Sequence, residues 1–179
     1  MKKLVAVALF SLALSSVAVA DFNSGVAAYM RGDYSTAAQQ FIPLAETADD
    51  GLAQYFLGNM YAKGQGVDQS AEQAAKWYRS AAEKGIAPAQ YRLGVAYRDG
   101  QGVPQDLENA YAWLKVADKL GSKLAPTALT SLDGKLSPEE LAEAEKLAAE
   151  YTTKYGTPKK EADGRTEPIK ADEAALQQP

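Results

Sequence analysis

Residues 53–85, AQYFLGNMYAKGQGVDQSAEQAAKWYRSAAEKG, decide the fold, because they return at once as AQYRLGVAYRDGQGVPQDLENAYAWLKVADKLG at 89–121. At an offset of 36 the two copies share 16 of 33 positions. The shared residues are structural types: Ala53/Ala89, Tyr55/Tyr91, Leu57/Leu93, Gly58/Gly94, Tyr61/Tyr97, Gly64/Gly100, Gly66/Gly102, Ala74/Ala110, Trp77/Trp113, Ala81/Ala117 and Gly85/Gly121. A fixed period of this size marks a solenoid, in which each unit buries its apolar face only against its neighbours.

Each copy reads as two helices. Ala53, Leu57, Gly58 and Tyr61 form one buried face of a helix over 52–63. Gly58 inside that helix costs about 1 kcal/mol relative to alanine, which predicts close approach by a neighbouring helix. Gly64-Gln65-Gly66 ends it and reverses the chain. Ser70-Ala71-Glu72-Gln73 reads as a capping box that opens the second helix, with Ala74, Trp77, Tyr78 and Ala81 inward. In the next copy Pro104 lies in the turn and Asp106 is the cap. Tyr61 and Tyr97 read as packing residues, and Trp77 and Trp113 as packing knobs.

The flanks are weaker versions of the same pattern. Residues 21–51 carry Gly25, Gly32-Asp33-Tyr34, Ala37 and Phe41, the spacing of a shorter helix–turn–helix unit, with helices over about 22–31 and 34–48. Pro43 should kink or break the second of these. Residues 123–155 drift from the repeat. Ala125 and Leu129 keep the register, Asp133-Gly134 interrupts it, and Ser137-Pro138-Glu139-Glu140 opens a last helix with a charged outer face. From Gly156 to Pro179 the composition turns to proline and mixed charge without aromatics, which predicts a disordered tail.

The start of the chain has another purpose. Lys2-Lys3, the apolar run from Leu4 to Leu14 and Ala18-Val19-Ala20 predict a secretory signal peptide over 1–20. Its removal takes two of 19 basic residues, leaving 17 against 23 acidic and a net charge of −6. That balance disfavours nucleic acid and anionic membranes as partners. Export with no cysteine requires stability from packing alone and fits a bacterial periplasm.

The run A-Q-Y-x-L-G-x-x-Y-x-x-G-x-G-V, followed by A-x-x-W-Y-x-x-A-A-x-x-G, resembles the Sel-one-like repeat, a relative of the tetratricopeptide repeat. Residues 53–85 match fully and 89–121 nearly so, with Leu114 in place of the second aromatic, within repeat units over 52–86 and 87–122. Residues 21–51 are more similar to an ordinary tetratricopeptide unit, and the segment from Ser137 to the family's closing helix. The resemblance implies an all-α, right-handed solenoid of about four antiparallel helix pairs over 21–155. It also implies an adaptor role, since family members mostly hold protein complexes together.

Chemistry has little to stand on. With neither histidine nor cysteine in the chain, nucleophile–histidine catalysis and the usual zinc and transition-metal sites are absent, and no cofactor is called for. Acidic pairs such as Asp49-Asp50 and Glu139-Glu140 read as capping charge. Recognition remains. In helical-pair repeats the first helices line the concave face, and the glycine landmarks name its residues. These are Phe22, Val26, Tyr29 and Met30 in the first unit, Tyr55, Asn59, Ala62 and Lys63 in the second, and Tyr91, Val95, Arg98 and Asp99 in the third. Their aromatics and charges suit a protein or peptide partner. Tyr55 and Tyr91 read equally well as packing residues. The expectation is a non-catalytic periplasmic scaffold, monomeric or weakly self-associating. A small envelope enzyme acting on cell-wall or carbohydrate material, with Asp99 as its acid, is the alternative.

Overall fold

A computed structural model describes residues 20–160 and Gly164; the signal-peptide reading and the tail beyond Lys160 otherwise fall outside the described residues. Every regular element among them is a helix: α1 Phe22–Met30, α2 Tyr34–Glu46, α3 Gly51–Lys63, α4 Ala71–Ala82, α5 Ala87–Asp99, α6 Leu107–Lys119, α7 Ala125–Thr130 and α8 Pro138–Tyr155. From α1 to α7 each helix packs on the next in sequence, and α8 packs on α6. That nearest-neighbour order is a solenoid, with α1–α2, α3–α4 and α5–α6 as its helical pairs.

Local chemistry explains the boundaries. Asp21, Asp33, Asp50, Ser70, Asp106 and Ser137 each accept a backbone N–H three residues on, filling donors that a helix start leaves unpaired. The reciprocal box closes only at Ser137, where the Glu140 carboxylate takes the Ser137 N–H at 2.7 Å. At Ser70, where a box was also expected, the hydroxyl instead donates to Glu72 at 3.1 Å, so that cap is one-sided. Helix α2 continues through Pro43 and ends at Glu46, three residues later and short of the expected 48. The missing proline N–H shortens the helix without breaking it at the ring.

Glycines set the spacing within each pair. A Cβ on Gly58 would lie 2.7 Å from the Tyr78 ring, one on Gly94 2.7 Å from Leu114 Cγ, and one on Gly25 2.7 Å from the Phe41 ring. All three pairs therefore interlock alike, with a large side chain of the second helix seated on a bare backbone of the first. Glutamines tie successive pairs together. Gln54 donates to the Ala45 carbonyl at 3.2 Å and Gln90 to the Ala82 carbonyl at 3.1 Å, each reaching an acceptor in the last turn of the preceding helix.

Two readings change in the structure. Helix α3 is buried at every residue from Gly51 to Met60, not on one face, because pairs flank it on both sides. Tyr61, read as core, is half-buried. At the other end, α8 lays Tyr151 and Tyr155 on Trp113, with ring centroids 4.6 and 5.3 Å away. The chain then crosses Gly85, where Lys159 N–H donates to the Lys84 carbonyl at 2.9 Å. The first residues of the expected tail are thus part of the packed structure.

Candidate functional site

Successive helical pairs meet at seams, and two of these seams share the same glycine seats but have different contents. Register follows from the glycines of the first helices (Gly25, Gly58, Gly94) and the N-caps of the second (Asp33, Ser70, Asp106). By these landmarks Tyr29 corresponds to Ala62, Tyr34 to Ala71, Phe41 to Tyr78, Phe56 to Arg92 and Met60 to Ala96. In both seams the loop of the later pair sits on the start of the earlier pair's second helix. A Cβ on Gly66 would lie 2.3 Å from the Tyr34 carbonyl oxygen, and one on Gly102 2.0 Å from that of Ala71, both glycines having φ +72. No side chain fits either seat, and the left-handed φ independently favours glycine.

The first seam, between α2 and α3, is filled with rings. Phe56 stacks on Phe41 at 4.9 Å, and Tyr29 meets Phe56 at 5.2 Å and Tyr34 at 5.4 Å, both edge to face. At the second seam, between α4 and α5, three of the corresponding positions are alanine. Ala62, Ala71 and Ala96 line an open cleft of about 690 Å³ together with Ala74, Ala75 and Tyr78. Val95 and Arg92 form its α5 side, and Gly100-Gln101-Gly102 its rim.

Arg92 is the charged residue of that lining. Its Nε is buried without a hydrogen-bond partner, and among the described residues no hydrogen bond or ion pair engages its guanidinium. A buried polar donor without an acceptor costs roughly 1–3 kcal/mol. No carboxylate lines the cleft to relieve it.

The other residues expected at a binding surface do not assemble into one. Phe22, Val26, Tyr55 and Asn59 are interior. Tyr55 is 0% exposed, its ring beside those of Phe56 and Tyr78, so the packing reading holds for it and the open-groove reading does not. Asn59 Oδ1 accepts a 2.9 Å hydrogen bond from the Tyr78 hydroxyl, which pairs the buried amide's oxygen. Tyr29 is half-buried in the filled seam, while Met30, 67% exposed, ends α1, and Lys63 is exposed in the last turn of α3. Tyr91 is half-buried.

Arg98 and Asp99 face inward chemically. Arg98 Nε and Nη2 donate to the two Asp99 carboxylate oxygens at 2.8 and 2.9 Å, and Nη1 donates to Ser131 Oγ at 3.1 Å. The guanidinium hydrogen bond holds the Asp99 carboxyl below its ordinary range, and Asp99 in return raises Arg98. An aspartate held ionised by a bidentate arginine is a poor general acid. Among the described residues no group of three or more acidic side chains is placed to hold a metal ion, and no helix is long and apolar enough to cross a membrane.

Of the residues expected in a concave groove, Val95 and Ala62 line this cleft; Arg92, Ala71 and Tyr78, which also line it, were not among them. Aligning all three units on their caps and glycines, in place of two units at constant offset, exposes the exchange of rings for alanines.

Comparison with known proteins agrees with this architecture. Residues 51–86 and 87–122 each match the Sel1 repeat. No curated protein matches the chain. Among solved structures, a protective antigen of uropathogenic Escherichia coli displaying an SLR fold is 33% identical at TM-score 0.70, over 75% of this chain and 29% of that one. A Sel1 repeat protein from Oxalobacter formigenes is 31% identical at TM-score 0.56, over 73% of this chain and 56% of that one. The chain thus spans under a third of the first relative's length and just over half of the second's. Two tandem copies of the motif, the helical order and these likenesses make the chain a Sel1 repeat protein.

Proposed function

We propose that this protein is a non-catalytic adaptor of the bacterial periplasm that binds a segment of a partner protein at the open seam between α4 and α5. Sel1 repeats generally mediate protein–protein interaction, and the signal-peptide pattern at 1–20 supports export. One observation carries the site: the same backbone seam is packed with aromatic rings between α2 and α3 and stands open between α4 and α5. A solenoid that can close a seam with its own side chains, and leaves the next one open beside an unpaired arginine, has a place for side chains from elsewhere.

A photo-crosslinking residue placed singly at Gln69 and Gln101, both exposed at the cleft rim, tests this in intact cells. Adducts are expected from these two positions and not from Asn23 or Gln39, exposed on the first pair. The reverse pattern would place the partner elsewhere. Cell fractionation and N-terminal sequencing test the export reading, with Asp21 expected as the first residue.

A further inference from the structure

The filled seam shows what chemistry the open one takes. Its backbone seats are the same, so the positions of Tyr29 and Tyr34 mark space that Ala62 and Ala71 leave empty. Tyr78 lies buried at the base of this space, with Ala74 and Ala75 beside it. An aromatic side chain entering there would meet an apolar wall and a ring edge, as Tyr29 and Phe56 meet in the first seam. Where the first seam carries Phe56, the second carries Arg92, whose Nε is out of water and unpaired. A guanidinium in that state is completed by a carboxylate, the acceptor that matches its planar donors two at a time. The lining supplies none, so a carboxylate on the occupant would be its matching acceptor.

We infer that the segment bound at this seam belongs to a partner protein and presents a large aromatic side chain with an aspartate or glutamate within one or two residues of it. The ring fills the alanine recess and the carboxylate pairs with Arg92. This rests on the reading of the α4–α5 seam as the partner site. Recognition would be local: the protein is acidic overall, with a formal charge of −4, so its general field repels acidic partners and Arg92 provides the attraction at close range.

Random twelve-residue peptides displayed on phage and selected on the mature chain provide the probe. Two variants sort the outcomes. Ala62→Tyr/Ala71→Tyr rebuilds the first seam's rings in the second, at an exposed and a half-buried position, so it should fold. Arg92→Gln removes the charge from a group that has no partner to lose. Selected peptides should carry Phe, Tyr or Trp with Asp or Glu one or two residues away. Their affinity by calorimetry should fall about tenfold or more on Arg92→Gln, the scale of a truncated buried charge pair. Replacing the peptide's acid with its amide should cost the same, and the two losses should not add. Peptides blocked by the double tyrosine variant but indifferent to Arg92→Gln would overturn the carboxylate inference and leave the seam as the site. Peptides indifferent to the double tyrosine variant would overturn the seam itself. Concentration-dependent dimers that the same variant dissolves, with no peptide selected, would make the occupant a second copy of this chain and overturn the partner assignment.

Discussion

The α2–α3 and α4–α5 seams are built on the same pair of glycine seats. Both place a left-handed glycine over the first carbonyl of a second helix, and both have a large ring lying on a bare glycine beneath. At the surface of contact the main exchange is Tyr29, Tyr34, Phe56 and Met60 against Ala62, Ala71, Arg92 and Ala96, with Phe41 against Tyr78 and Asn59 against Val95 beside it. The difference separates what holds a repeat to its neighbour from what is merely available to do so. Glycine seats and glutamine ties occur at both seams, whereas the rings are added at only one.

Exchanging the corresponding residues Phe56 and Arg92 for alanine gives the largest contrast. Phe56 is 2% exposed and touches Phe22, Tyr29, Phe41 and Tyr55, so Phe56→Ala leaves a cavity and should cost about 3–5 kcal/mol. Arg92→Ala removes a guanidinium with no partner, and with it the cost of the buried, unpaired Nε, so stability should stay level or rise slightly. Urea unfolding of both variants checks the pair. Equal losses would mean that the second seam is as integral to the fold as the first.

The next contrast lies inside the pairs. Tyr78 and Asn59 of the second unit stand where Leu114 and Val95 stand in the third. Tyr78→Phe keeps the ring on Gly58 but strands the buried Asn59 carbonyl, at roughly 1–3 kcal/mol. Combined with Asn59→Val, the loss should be smaller than the sum of the two single losses, because the third unit shows that an apolar couple fits the same frame. Strict additivity would mean that the hydroxyl–amide bond contributes nothing.

This couple also marks the limit of the sequence reading. The period, the caps at Asp106 and Ser137, and the close approach at Gly58 were legible, since each depends on residues a few positions apart. Asn59 against Val95 looked like variation at a binding face. It is instead compensation across a helix pair, which can be recognised only once Tyr78 is known to lie over Asn59. Tyr55 misled in the same way: the first helix of a middle unit is covered from both sides, so helical phase does not tell its open face from its closed one. The cleft was hidden for the opposite reason. It consists of side chains that are absent, and small residues in an alanine-rich repeat read as ordinary helix formers.

At the end of the solenoid the same register position is covered in another way. Tyr111 of α6 corresponds to Ala75 in the cleft, and its hydroxyl donates to Glu145 of α8. Burial, with the carboxylate next, pushes the Tyr111 phenol up to about 12, and burial also raises Tyr151. Below pH 10, the ordinary phenol value, folded and unfolded chains both keep the proton and the contribution is complete. Between about pH 10 and 12 the unfolded chain releases it while the folded chain retains it, so stability falls as pH rises and the contribution is gone above 12. The loss should be about 1 kcal/mol, the net worth of one partly exposed hydrogen bond. Tyr111→Phe should flatten the slope of stability against pH in that window; an unchanged slope would assign it to other groups.

Filling the open seam should have the smallest effect on stability and the most informative one. Ala62→Tyr/Ala71→Tyr adds apolar contact over Tyr78, but at the rim of a cleft that stays partly wet, so the gain should be under about 1 kcal/mol. Its sign separates two explanations of the alanines. If they accompany a locally different backbone, the tyrosines have no room and the variant loses stability, as overpacked sites do. If the backbone matches the filled seam, as the Gly66 and Gly102 seats indicate, the variant holds or gains stability while giving up its crosslinks at Gln69 and Gln101. Stability rising as binding falls is the behaviour of a site kept open against the interest of the fold. Neither change alone would establish that, because a lost crosslink can follow from unfolding and a higher melting point from better packing anywhere.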